Sequence, residues 1–96
     1  MKLIPELVSA LQELTAWRHD IHAHPELAFE ETRTASFVAR QLQSYGIKVT
    51  RDIGRTGLVG TLKAGSSTKT IGLRADMDAL PMDERNTFVH KSKHPG

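Results

Sequence analysis

The hydrophobic period of this chain changes once, at Gly46, and that change constrains the fold more than any other feature. Before Gly46, apolar side chains recur every three or four residues, which is the spacing of one helical face. This spacing predicts a helix over residues 5–22, ended by the proline at position 25, and a second helix over residues 30–45. After Gly46, apolar and polar residues alternate, which is typical of a half-buried strand.

The alternating part of the chain predicts three strands, at residues 47–53, 58–63 and 69–75. The sequence GRTG at residues 54–57 supplies turn residues between the first two strands, so a hairpin is expected there. The third strand has Ile71, Leu73 and Ala75 on one face and small Gly72 on the other, as a strand between two neighbours would, with Arg74 as the exception. Two helices followed by strands therefore predict an α/β fold with a mixed sheet.

Composition and charge exclude several classes of protein. Hydrophobic residues make up 39% of the 96 residues and charged residues 25%, which is ordinary for one globular domain and argues against a disordered chain. The formal net charge is only +2. The absence of cysteine excludes a disulfide framework, a zinc ribbon and a thiol nucleophile within these residues.

Two partners are not expected from the sequence, a membrane and a nucleic acid. No apolar run approaches the roughly 18 to 20 residues that a membrane-spanning helix needs. Pro5, Glu6 and Glu13 interrupt the apolar core of a secretory signal, so we expect a cytoplasmic protein. The basic stretch at residues 90–94 has no interleaved aromatic side chains, and such a tail is more often a solvated loop than a nucleic-acid surface.

Two aspartates directly follow the third predicted strand. Ligands of open α/β sheets gather outside the carboxyl ends of the strands, so Asp76 and Asp78 are candidates for a functional site. In an extended segment their side chains point to the same side, where they suit a divalent cation or the orientation of a metal-binding histidine. The alternative, given equal weight by the spacing alone, is that both aspartates only cap a turn before Pro81.

Three histidines, His19, His22 and His24, lie within six residues at the end of the first predicted helix. His19 and His22 share a helical face and could reach one metal ion. The alternative is favoured: polar side chains at a helix C-terminus satisfy its free carbonyl groups and complement its dipole, with no metal involved.

Several motifs of the chain resemble a known family. They are WRHDIHAHPELAFEETRTASFVARQL, the GLVG strand, TIGLRADMDALPMDERNTF and HKSKHPG. Together they are similar to the beginning of hippurate hydrolases and related N-acyl-amino-acid amidohydrolases, in the aminoacylase and carboxypeptidase group of metallopeptidases. HPELAFEE and RADMDALPM, about fifty residues apart, are specific in combination because neither follows from a common structural period.

The resemblance implies a hydrolase that uses two divalent ions, Zn, Mn or Co, to cleave the amide bond of an N-acyl amino acid. It also implies that residues 1–96 are the N-terminal portion of a helix-flanked catalytic domain, without its lid or dimerisation domain. The intact protein is expected to be homo-oligomeric. In the family the main metal ligands and the catalytic glutamate come later in the chain, so the 96 residues alone are expected to be inactive and to bind no metal.

The resemblance assigns roles to two residues. Asp78 matches the aspartate that orients the metal site, and Asp76 stands where related peptidases place a ligand histidine, with a weaker supporting role expected here. Arg74 is expected to pair with a nearby acid. The catalytic glutamate is not assigned to Glu26, Glu30 or Glu84, and His24–Leu27 is expected to be structural.

Two other functions stay open at the level of the sequence. One is a small module that uses the clustered histidines to bind a metal or a partner, without catalysis. The other is a structural remnant whose exposed strand edges and apolar surface make it aggregate.

Overall fold

The computed structural model describes residues 2–96, with α1 at Pro5–Ser9, α2 at Leu11–Ala23, α3 at Thr32–Ser44, β1 at Lys48–Ile53 and β2 at Gly57–Thr61. The expected order of helices followed by strands is confirmed, and the fold is a small α/β fold. The chain divides into two compact units. One consists of the chain up to Pro25 together with Pro81–Gly96, and the other is Glu26–Leu80.

In the first unit, the single helix expected over residues 5–22 is two helices separated by Ala10, whose φ and ψ are −90° and 1°. Pro5 occupies the first turn of α1, where its missing N–H costs nothing. Nothing in the local sequence explains the break, because alanine favours a helix. α2 ends at Ala23, as the proline at position 25 requires, and the Lys93 N–H donates to the Ala23 carbonyl oxygen at 2.9 Å.

In the second unit, α3 packs on a hairpin of two antiparallel strands. The buried residues of α3 are small, Thr34, Ala35 and Ala39, which lets the strands approach the helix closely. Gly46, at φ +75°, ends the helix in the left-handed conformation that glycine adopts without strain. The Ile47 N–H then donates to the Leu42 carbonyl at 3.1 Å.

The third predicted strand is wrong. Residues 69–75 are extended but pair with no strand in the part of the chain that the structure describes. Ile71 and Leu73 are 84% and 93% exposed, so the apolar face that predicted a buried strand faces solvent. An alternating segment forms a strand only where a neighbouring backbone can pair with it. Among the described residues, the one parallel pairing is the isolated bridge between Leu27 and Ala79, which lies outside residues 69–75.

Within residues 2–96, no helix combines the length and the apolar character that crossing a bilayer requires.

Candidate functional site

The start of α3 is held by a glutamate that lies six positions before the helix. Both carboxylate oxygens of Glu26 accept backbone N–H groups, at 2.7 Å from Thr34 and 2.9 Å from Arg33. These N–H groups have no partner within the helix, so the carboxylate performs the part of an N-cap. Partial burial would raise the pKa of Glu26, but these hydrogen bonds and one from the Thr32 hydroxyl outweigh it and lower the pKa.

A second glutamate connects α3 to the hairpin turn. Glu31 is 7% exposed, and its carboxylate accepts hydrogen bonds from the Thr56 hydroxyl and from the Phe29 N–H, the latter at 2.9 Å. The Thr56 hydroxyl is the main cause of its lowered pKa. Phe29 has a positive φ of 67°, a strained value for a bulky residue. Two glutamates of the HPELAFEE motif, Glu26 and Glu31, thus hold the start of α3 and the hairpin turn. No local spacing signals the capping role of Glu26.

The two predicted site aspartates, Asp76 and Asp78, lie on the exposed extended segment of this same unit. The Arg74 guanidinium contacts the Asp76 carboxylate at 2.8 Å between Nη2 and Oδ1, and both side chains are mostly exposed. The partner that the sequence could not name for Arg74 is therefore Asp76. Asp78 has no hydrogen-bond or ion-pair partner among residues 2–96, so its carboxylate is free to meet another group.

An open groove of about 830 Å³ runs along this segment. Apolar side chains of α3 and of the hairpin form one wall, and residues 73–78 form the other. Asp76 and Asp78 both line it, together with the buried Glu31. The groove therefore places two solvent-exposed carboxylates beside an apolar surface.

The clustered histidines of the first unit contact the C-terminal part of the same unit, Pro81–Gly96, which we call the tail. The His22 Nε2 lies 2.9 Å from a Glu84 carboxylate oxygen, and the His19 ring stacks on the His90 ring. His24 donates from Nδ1 to the Asp20 carbonyl oxygen at 2.9 Å, which supports the structural alternative for this residue. Within residues 2–96, no three histidine or acidic side chains are arranged to hold a metal ion.

The Glu84 carboxylate accepts hydrogen bonds from three groups around the tail. It accepts the Ser92 N–H at 2.6 Å and the Asn86 side-chain amide at 2.7 Å, in addition to His22. The Ser92 N–H is the largest of the causes that lower the pKa of Glu84 to about 2. The basic tail was expected to be a solvated loop, yet ring stacking and this carboxylate hold it on α2, and the sequence spacing gave no signal for either contact.

Comparison with known proteins shows which enzymes the chain is similar to. The chain is 52% identical to the hippurate hydrolase of Campylobacter jejuni over 93 residues, which is 97% of this chain and 24% of that protein. It is 45% identical to the N-acyl-L-amino acid amidohydrolase of Geobacillus stearothermophilus, over 88% of this chain and 23% of that enzyme.

The chain is similar to N-acyl-amino-acid amidohydrolases. The resemblance expected from the motifs is therefore confirmed. The chain is also 38% identical to the thermostable carboxypeptidase 1 of Saccharolobus solfataricus, over all of this chain and 26% of that enzyme. The chain thus spans about a quarter of the length of the curated relatives it matches. No family model matches it, and no solved structure matches it significantly.

Proposed function

We propose that residues 1–96 are the N-terminal portion of the catalytic domain of an amidohydrolase that cleaves N-acyl amino acids such as hippurate. The observation that carries the proposal is the 52% identity to a hippurate hydrolase across nearly the whole chain. In such a hydrolysis, water adds to the amide carbonyl and the C–N bond breaks. The products are a carboxylic acid and a free amino acid.

The proposal gives Asp78 the role of positioning a group in the active site. Asp78 is exposed, lines the groove and has no partner among residues 2–96, so its carboxylate can accept a hydrogen bond from a residue outside this chain. Asp76 has a weaker supporting role, because Arg74 already neutralises it at 2.8 Å.

The divalent ions implied by the family, Zn, Mn or Co, do not fit the residues described here. Residues 2–96 contain no group of three side chains arranged as ligands, so no step of the reaction is assigned to a metal in this chain. We propose that the ligands and the catalytic glutamate belong to other parts of the intact enzyme. Homo-oligomeric assembly and a cytoplasmic location stay predictions.

The test uses a chimera in which this chain replaces the matching segment of the Campylobacter jejuni hippurate hydrolase. We expect the chimera to hydrolyse N-benzoylglycine in the presence of Mn, Zn or Co, and the 96-residue chain alone to be inactive. Activity of the short chain alone would contradict the proposal and would require metal ligands from its own histidines and aspartates.

The role of Asp78 is tested in the same chimera. Removal of a group that orients a metal ligand lowers activity or metal affinity by roughly 10- to 100-fold, and we expect Asp78→Asn to show a loss of that size. The matched control is Asp52→Asn, because Asp52 is exposed in the hairpin at φ 61°, a conformation that asparagine also tolerates. Equal activity of the two variants would contradict the role of Asp78.

A further inference from the structure

Three aromatic rings form a continuous stack in the first unit. The His90 ring lies between the His19 ring, at a centroid distance of 3.7 Å, and the Phe88 ring, at 3.9 Å, with 3° between the planes in both pairs. The His22 ring meets His90 and Phe88 edge-on, at 5.4 and 5.7 Å. The stack therefore joins α2 to the tail through two rings that can change their charge.

The hydrogen bonding of His19 fixes its protonation state. The Arg18 Nη2 lies 3.0 Å from the His19 Nε2, and a guanidinium group can only donate. The His19 Nε2 must therefore carry a lone pair, so the ring is neutral while this contact exists. A proton on that nitrogen would remove the hydrogen bond and place a second cation beside Arg18.

The surroundings of His90 also favour its neutral form. Desolvation is the largest cause of its lowered pKa, followed by electrostatic interactions with His19, His22 and Arg18 on α2. Glu84, on the tail, acts in the opposite direction. The face of the Phe88 ring would attract a positive charge on His90. Desolvation and the interactions with Arg18, His19 and His22 outweigh this attraction, because the pKa of His90 is lowered.

We propose that the stack of His19, His90 and Phe88 is a pH-sensitive contact that opens at mildly acidic pH. Protonation of His90 places a positive charge between the His19 and Phe88 rings and close to Arg18, and the rings separate. The hydrogen bond from the Lys93 N–H to the Ala23 carbonyl oxygen at the end of α2 does not depend on neutral imidazoles, so it keeps the tail on α2 while the rings move apart. The proposal does not depend on the proposed enzymatic function.

The experiment is an NMR titration of the isotope-labelled 96-residue chain between pH 8 and pH 5. We expect His90 to titrate below the ordinary imidazole midpoint of about 6.5. Nuclear Overhauser contacts between the His90 and Phe88 rings should vanish over the same pH interval. The Lys93 amide should keep its protection from hydrogen exchange, because its acceptor, the Ala23 carbonyl oxygen, does not titrate.

Two variants distinguish opening of the stack by protonation of His90 from a general effect of acid on the fold. His90→Phe keeps a ring in the stack without a titrating group, so its ring contacts should persist to pH 5. Arg18→Gln removes the permanent charge and should raise the His90 midpoint, and it tests the proposal even if the first variant fails to fold. Ring contacts that are absent at pH 8, or unaffected by pH, would overturn the proposal. So would an ordinary His90 midpoint, or a Lys93 amide that loses its protection together with the ring contacts.

Discussion

Single carboxylates hold the elements of both units in place. Glu26 accepts the N–H groups at the start of α3, Glu31 joins that helix to the hairpin turn, and Glu84 collects the donors of the tail. Each carboxylate accepts at least one backbone N–H, and ionised acceptors make such hydrogen bonds stronger than neutral ones do. The first test at this scale concerns the helix cap.

We expect Glu26→Ala to lower the free energy of unfolding by about 1 to 2 kcal/mol, the usual cost of removing an N-cap side chain. Two N–H groups of α3 lose their acceptor in this variant. Glu30→Ala is the matched control, because Glu30 lies closer to the helix in sequence but is exposed. Urea unfolding followed by circular dichroism measures both, and equal losses would show that Glu26 is not the cap.

The pKa of Glu84 predicts an acid-dependent loss of stability. A carboxylate whose pKa falls from 4.5 to about 2 on folding contributes its full stabilisation above pH 4.5 and loses it as the pH falls towards 2. We expect the unfolding free energy of the wild-type chain to fall more steeply across this interval than that of Glu84→Gln. The control is Glu13→Gln, on the exposed surface of α2, which should keep the wild-type slope.

Among the elements, the hairpin depends on a backbone contact that only glycine permits. A Cβ atom at position 57 would lie 2.6 Å from the Ile53 carbonyl oxygen, closer than real Cβ atoms approach backbone. The register shift of the hairpin also falls between Thr50 and Ile53, next to this contact. The turn residues at 54–57 were expected from the sequence, but this steric requirement was not.

We expect Gly57→Ala to destabilise the second unit by roughly 1 to 3 kcal/mol, the cost of overpacking a site that cannot relax. Gly72→Ala is the control, because a Cβ atom there meets nothing within 4 Å. Thermal unfolding of the two variants under identical conditions provides the comparison. A loss of stability for Gly72→Ala as large as that for Gly57→Ala would contradict the steric explanation.

At the scale of the whole molecule, the chain buries little apolar surface. The fully buried apolar residues described are three alanines, Ala23, Ala35 and Ala39, whereas Ile71 and Leu73 are almost completely exposed. A core built from small side chains gains little from the hydrophobic effect, so we expect low stability for the chain alone. Exposed apolar segments with unpaired backbone also associate with one another.

We therefore expect concentration-dependent association of the 96-residue chain, reduced by Leu73→Lys. Lysine at this position removes an apolar side chain that is 93% exposed and adds a charge to the extended segment. Thr70→Lys adds the same charge to the same segment without removing apolar surface, and it should leave more of the association intact. Sedimentation velocity at several concentrations measures this, and an equal effect of both variants would assign the change to charge alone.

The sequence by itself determined the elements whose interactions are local. The helical spacing and Gly46 predicted α3, the proline at position 25 predicted the end of α2, and alternation with turn residues predicted the hairpin. The motifs also predicted the relationship to amidohydrolases. These succeed because helix periodicity, proline and glycine act over a few residues.

Only the tertiary structure decided the contacts between residues far apart in the chain. It assigned the cap of α3 to Glu26, the partner of His22 to Glu84, and the third predicted strand to an unpaired segment. A local sequence period does not specify which backbone pairs with a strand or which carboxylate caps a helix. Both depend on tertiary contacts between residues far apart in the chain. For the same reason, the role proposed for Asp78 depends on contacts that no local sequence pattern specifies.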